Sequence, residues 1–197
     1  MHDKSPYSAP FEVSDETTIS DICLLRERVW RDTGCLIPNA FGPSGWRDPI
    51  DMHCRHWIIL DRHDTIVAAG RLSVHDQITD VHESEQYLKY GISFPGTFAN
   101  PDRVVVDQAI AGHGLGRKIL DAQDGAIASE NIVYSVRQAS PRMVRLLLNR
   151  GWHVAGSASS DRRFPGMDFS VVIRASPDTN GKVPDEYRIW RQRRKVA

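Results

Sequence analysis

Residues 103–120 hold the spacing best suited to chemistry in this chain, with Val104, Val105 and Val106 followed by Gly112, Gly114 and Gly116. β-branched residues run up to Val106, and beyond Arg117 the apolar residues Ile119, Leu120, Ala126 and Ile127 recur at helical spacing. The segment therefore reads as strand, glycine turn, helix. Such a turn aims several backbone N–H groups at one point, and the unpaired amides and positive end of the following helix suit a phosphate or pyrophosphate. Spacing separates the possible guests. A P-loop needs a hydroxyl residue after its lysine, whereas Ile119 follows Lys118. A dinucleotide fingerprint needs G-x-G-x-x-G and an acidic residue after the next strand, where this chain has G-x-G-x-G and then Val136, Arg137 and Gln138.

The elements that must position this turn are legible as patterns. A helix is expected over residues 19–32, with Ile22, Leu25 and Val29 on one face and Gly34 ending it. A Pro- and Gly-rich segment follows over 35–54. Residues 56–60 and 66–72 read as a hairpin, with 61–64 as its turn. Residues 76–100 read as an insertion with a short helical piece near 81–90. After the glycine helix come a strand at 132–136, a helix at 141–150 with Ser140 as its cap and Gly151 as its stop, and strands at 152–156 and 169–174.

With 197 residues, 41% of them hydrophobic, one well-buried α/β domain is expected over 19–175. An N-terminal segment, 1–18, precedes it, and a basic tail, 176–197, follows. Twenty-five basic residues balance twenty-five acidic ones, so no global charge points to nucleic acid. Arg188, Arg191, Arg193, Arg194 and Lys195 nonetheless concentrate positive charge at the end. The three cysteines, Cys23, Cys35 and Cys54, form no C-x-x-C pair, which argues against a disulfide framework or a metal cluster. No apolar run follows the N-terminus and none reaches membrane-spanning length, so a cytoplasmic, soluble protein, monomer or homodimer, is expected.

The remaining glycine pattern, Q/R-x-x-G-x-G/A, resembles the coenzyme A pyrophosphate loop of the GNAT superfamily of N-acetyltransferases, carried here by Ala111, Gly112, His113, Gly114, Leu115 and Gly116. Ala111 stands where Gln or Arg is usual, and Arg117 or His113 can supply the positive charge. A second landmark agrees: the helix from Ser140, Pro141, Arg142 and Met143 to Gly151 and Trp152 resembles the one flanking the pantetheine arm, with Leu147 in place of the tyrosine that commonly protonates the leaving thiolate. The resemblance implies a mixed, mostly antiparallel sheet flanked by helices and splayed between its fourth and fifth strands, an α/β (α+β) GNAT fold. It also implies acetyl-CoA or another acyl-CoA as co-substrate, held by Val104, Val106, Gln108, residues 111–117, Ser140 and Arg142. No metal is implied.

The N-terminal half narrows the resemblance. Leu25 and Arg26 with Trp30, then Asp48 and Asp51, Arg55 and His56, Arg71 and Leu72, and Arg103 look like the ElaA-like branch, and also like acyl-homoserine-lactone synthases, which take acyl chains from acyl carrier protein. The chemistry implied is direct attack of an amine on a thioester, for which a base must take a proton and N–H donors must meet the oxyanion. Candidate bases are His56, Asp102 and Asp107; His53 and His113 are weaker candidates. A small-molecule amine acceptor is expected between segments 35–54 and 157–167, with Trp30, Arg162 and Arg163 as its contacts. Arg71 and Arg103 read instead as partners of Asp48 or Asp51, since a strand arginine among apolar residues needs a carboxylate. The alternatives are an N-acyl amino acid or acyl-homoserine-lactone type synthase using acyl carrier protein or a longer acyl-CoA, and a non-catalytic acyl-CoA-binding module.

Overall fold

The structure is a computed structural model that describes residues 5–159, 161–176 and Asp185. The basic tail expected at 176–197 lies otherwise outside the described residues. The described residues divide into two compact units, one of residues 5–73, 101–126 and 161–166, the other of 74–100, 127–159, 167–176 and Asp185.

In the first unit, β1 (Phe11–Val13) pairs antiparallel with β2 (Arg55–Leu60), which pairs antiparallel with β3 (Ile66–His75). Three residues are too few to show alternation, so β1 has no signature in the sequence. Helix α1 spans Glu16–Asp32 and starts three residues earlier than its apolar pattern, because the Asp15 side chain accepts from the Thr18 N–H at 2.8 Å and caps a polar first turn. The 18/19 boundary thus falls inside a helix. Its Ile22, Leu25 and Val29 pack on Ile58, Ala69 and Val105, the i, i+3, i+7 stripe that the spacing predicts. The β2–β3 turn is tied by Asp61, which accepts from the His63 and Thr65 amides at 2.8 and 3.0 Å.

The second unit contains the first residues of β4 (Phe98–Val106), helix α2 (Glu85–Leu88), the end of α3 (Leu115–Ser129), β5 (Tyr134–Ala139), α4 (Pro141–Leu148), β6 (His153–Ser157) and β7 (Ser170–Ala175). Residues 76–100 are a correction to the sequence reading, for they are not an appended insertion. Ile78, Val81, Tyr87, Ile92 and Phe98 are core residues of this unit with Val136, Val171 and Ile173, and residues 98–100 already belong to β4. Ser140 holds the cap position of α4, but its hydroxyl makes no cap hydrogen bond.

The strands form one sheet in the order β1-β2-β3-β4-β5-β7-β6. The β5–β7 and β6–β7 pairs are antiparallel, whereas β4 and β5 run parallel in the register Phe98↔Tyr134 and Ala99↔Ser135. At the next position the buried Asn100 side chain donates to the Val136 carbonyl at 2.7 Å, so a side-chain amide occupies the acceptor where a backbone ladder bond would continue. Three residues later Arg103 has φ +52°, a left-handed conformation that costs a non-glycine residue about 1–3 kcal/mol and breaks the strand's alternation. Beyond it, Val105 faces α1. Val104 and Val106 lie on the other side, near Gly70 and Gly116.

Candidate functional site

The glycine turn is built from the end of β4. Asp107 donates its N–H to the Val67 carbonyl at 2.8 Å, then its own carboxylate accepts from the Ala109 amide at 3.0 Å and starts a 3-10 turn, Gln108–Ile110. Gly112 and Gly114 follow with φ +96° and +77°, conformations that L side chains adopt only with strain. The Gly114 carbonyl accepts from Arg117 and Lys118, which opens α3. Among the described residues no hydrogen bond takes up the N–H groups of residues 112–116. Five successive amide donors therefore stand without an intrachain partner among the described residues at the start of a four-turn helix, where the dipole also favours an anion. A Cβ at Gly116 would meet Val106 at 3.5 Å, ordinary contact, so the turn needs glycine at 112 and 114 more than at 116.

Behind the turn lies a buried network of three arginines and three aspartates. Arg26 on α1 donates through Nη1 to both carboxylate oxygens of Asp51 at 2.8 and 2.9 Å. Arg71 on β3 donates through Nη1 to Asp48 and Asp51, each at 2.8 Å, and through Nε and Nη2 to the two oxygens of Asp102 at 2.8 and 2.6 Å. Arg103 on β4 donates through Nε to Asp48 at 2.7 Å. Burying ionised groups is unfavourable unless each is paired, and here three cations meet three anions. Burial works against the charge on Asp51, but Arg26 and Arg71 outweigh it and hold its carboxyl below the ordinary range. Burial likewise opposes ionisation of Asp102, where Arg71 and Arg103 prevail. Arg71 and Arg103 are thus partners of carboxylates, as a strand arginine requires.

This network takes up two of the expected bases. His56 is fully buried, its Nε2 lies 2.8 Å from the Asp51 carbonyl and its Nδ1 faces Arg26 Nη2 at 3.4 Å. A carbonyl only accepts, so Nε2 carries the proton and Nδ1 accepts. Burial pushes the ring's pKa down, the neutral form is kept, and neither nitrogen is available to an acceptor amine. This weighs against His56 as the base and favours a structural histidine at the head of β2. Asp102 is disfavoured as a base for a related reason: both its oxygens are clamped by Arg71, and a carboxylate held in its charged form is a poor proton acceptor. Asp107 differs. Its side chain is 23% exposed and accepts from Arg28 Nη2 at 2.9 Å. The sequence reading did not single out Arg28, since one exposed arginine on a helix carries no signal. Burial raises the Cys23 and Cys54 thiols to about 11 and about 12, so neither is a nucleophile near neutrality.

An aromatic cluster stands beside the network. Trp30, Phe41, Trp46 and Phe164 lie within ring distances of 4.9–6.4 Å, Phe41 and Trp46 stacked and the other pairs tilted. The Arg163 guanidinium lies 5.5 Å from the Phe41 and Trp46 rings, is held by Asp161, and the Arg163 carbonyl accepts from the Ile37 amide at 3.0 Å. The resemblance pairs segments 35–54 and 157–167 around an acceptor; of the second segment, residues 161–166 meet the first here. Of the three expected acceptor contacts, Trp30 and Arg163 join the cluster, while Arg162 is exposed and outside it. His113 is exposed on the glycine turn, with its ring 5.8 Å from Tyr7. Ser140 and Arg142 open α4 in the second unit, where Arg142 is exposed and the buried Leu147 occupies the helix's inner face.

No protein-family model matches the chain, and no curated protein matches it. Solved structures do. LasI, an AHL synthase, aligns over 85% of this chain and 87% of its own with a TM-score of 0.63 at 10% identity. FeeM, an N-acyl amino acid synthase from uncultured soil microbes, covers 86% of this chain and 90% of its own with a TM-score of 0.62 at 8% identity. Escherichia coli ElaA covers 84% of this chain and 97% of its own with a TM-score of 0.56 at 14% identity. An acetyltransferase of the GNAT family from Staphylococcus aureus also aligns, at a TM-score of 0.54 and 12% identity. The seven-stranded mixed sheet with its parallel β4–β5 pair is the GNAT fold.

Proposed function

We propose that this chain is an N-acyltransferase that moves an acyl group from an acyl-CoA, most simply acetyl-CoA, to the amino group of a small molecule or amino-acid derivative. The observation that carries the reading is the turn at residues 112–116, whose five amides, without a partner among the described residues, open α3 beyond the end of β4. A pyrophosphate accepts hydrogen bonds from such a cradle, and Arg117, exposed on the first turn of the helix, adds a cation beside it. The backbone of Val104, Val106 and Gln108 is the proposed rest for the pantetheine arm and the thioester, with Ser140 and Arg142 assigned to the same cofactor by the family resemblance. Asp107 remains as the proposed acceptor of the amine's proton, because its carboxylate alone among the three candidates stands outside the buried network.

A second reading takes the acyl group from acyl carrier protein, as an N-acyl amino acid or acyl-homoserine-lactone type synthase. It is favoured by one observation: Arg26, Asp48, Asp51, Arg71 and Arg103, the landmarks of the resemblance to those synthases, form a single bonded network. Thiol release from acetyl-CoA, longer acyl-CoA and an acyl carrier protein thioester, each against a panel of amines, separates the readings. Release from a CoA donor is the expected result. Release from the carrier protein alone favours the synthase. Stabilisation by coenzyme A without thiol release from any donor refutes catalysis and leaves a binding module.

A further inference from the structure

Arg103 differs from the other two arginines of the network in what its guanidinium leaves unused. Arg26 and Arg71 are wholly buried, and all three nitrogens of Arg71 are engaged. Arg103 spends only Nε, on Asp48 at 2.7 Å, and among the described residues its Nη1 and Nη2 make no hydrogen bond. The side chain is 15% exposed, so these two nitrogens are within reach of solvent. Three restraints fix where they point. Asp48 holds the base of the fork, the Trp46 ring lies 4.4 Å below the guanidinium carbon, and the backbone is locked in the left-handed conformation at φ +52°. A strained non-glycine residue inside a strand persists only where surrounding structure over-determines it, and such strain gathers at ligand sites.

A guanidinium fixed at Nε and stacked on an indole offers its Nη edge as a planar pair of donors, the geometry that receives a carboxylate bidentately. Phosphate also fits such a fork, and charge decides between them. The three arginines of the network are balanced by Asp48, Asp51 and Asp102, and Arg163 beside it is balanced by Asp161. A dianion would bring two uncompensated negative charges to this neutral cluster, whereas the carboxylate of a zwitterion brings a counter-charge with it. We infer that Arg103 is a specificity-determining residue of the acceptor site, holding the carboxylate of an α-amino acid on Nη1 and Nη2 with Trp46 as its platform. This inference rests on the acyl-transfer reading for its consequence in turnover, but the binding of the amino acid does not require it.

The test compares acceptors that differ only in the carboxylate: an amino acid, its methyl ester and its decarboxylated amine. Wild-type chain is expected to show a KM for the amino acid at least tenfold below that for the ester and the amine. In Arg103→Lys, which keeps the charge beside Asp48 but loses the fork, the amino-acid KM is expected to rise at least tenfold, with the KM values for the ester and for the acyl donor unchanged. Direct binding of the amino acid, measured by calorimetry without any donor, should be lost in the same variant. Equal KM values for the three acceptors in the wild type overturn the inference while leaving acyl transfer intact. Donor-free binding that is abolished in Arg103→Lys, with no thiol release from any thioester, supports the inference and overturns the acyl-transfer reading. If Arg103→Lys does not fold, the wild-type acceptor comparison and the wild-type calorimetry with amino acid against ester still decide, and absence of a preference in both refutes the site.

Discussion

Replacing Asp51 by asparagine should be among the most destabilising single changes in the first unit. Asp51 is fully buried and accepts from Arg26 Nη1, Arg71 Nη1 and the Asp48 amide at 2.7–2.9 Å. The asparagine side chain fills the same volume but removes one of three negative charges, and turns an N–H₂ donor toward two guanidinium groups. Arg26 would be left with the Trp46 carbonyl at 3.4 Å and two weak sulfur and imidazole contacts. Breaking a buried pair by removing one partner destabilises by about 3–5 kcal/mol, because the surviving charge stays out of water. Against a total of about 5–15 kcal/mol for an ordinary domain this is a large share. At about 2–4 °C per kcal/mol for a chain of this size, the melting temperature should fall by roughly 6–20 °C. The assay is urea unfolding with the slope held as a check on two-state behaviour. Glu12→Gln serves as the reference, since the Glu12–Arg55 pair is at least as close, at 2.7 Å, but its side chains are 36–42% exposed, and should cost under about 1 kcal/mol. If Asp51→Asn and Glu12→Gln unfold at the same urea concentration, the claim that burial makes the inner network decisive is wrong.

Gly70→Ala should destabilise by about 1–3 kcal/mol, because the new Cβ would lie 2.4 Å from the Ile119 Cγ2 methyl and 3.1 Å from Gln123 Nε2; combining it with Ile119→Ala should recover part of that loss, and strict additivity would refute the clash. His56 is kept neutral by burial, with its folded pKa below the unfolded value of about 6.5, so the unfolded chain binds the extra proton first. Stability that is full above pH 6.5 should therefore decline as pH falls, by up to about 1.4 kcal/mol per unit, and His56→Gln should flatten that slope between pH 6.5 and 5; an unchanged slope assigns it to other groups. Gly114→Glu places a side chain at φ +77° and should cost about 1–3 kcal/mol in backbone strain, but with no atom within 4 Å of the new Cβ the chain should still fold while losing the thermal shift produced by coenzyme A; Gly116→Ala should retain that shift. Retained coenzyme binding in Gly114→Glu would remove the turn from the cofactor site.

Much of the architecture could be read from local pattern. The stripe Ile22, Leu25 and Val29 places α1 on the sheet, the Asp61 turn makes the β2–β3 hairpin, and Val106 before three alternate glycines announces the strand-turn-helix. These depend on residues within a few positions of each other, where periodicity and turn chemistry operate. The sequence also foretold that Arg71 and Arg103 need carboxylates, because an arginine on an apolar strand has few other solutions. It did not reveal β1, which is too short to have a period, or that residues 76–100 form core rather than insertion, which depends on what their aromatic side chains meet.

The roles of the titratable groups belonged wholly to tertiary structure. His56 and Asp102 have the residue types of a base, yet both are spent: one as a buried hydrogen-bond bridge between Asp51 and Arg26, the other as a counter-ion clamped by Arg71. Asp107 and Arg103 have equally ordinary sequence surroundings, but one stays partly exposed at the strand end and the other lies over Trp46 with two nitrogens that bond no other described residue. A residue's chemistry is set by its type, whereas its availability is set by burial and partners that arrive from α1, β3 and β4, positions 20 to 79 residues apart in the chain. That is why the glycine turn, made of backbone amides from neighbouring residues, was visible in the sequence, and why the choice among the side chains around it waited for the fold.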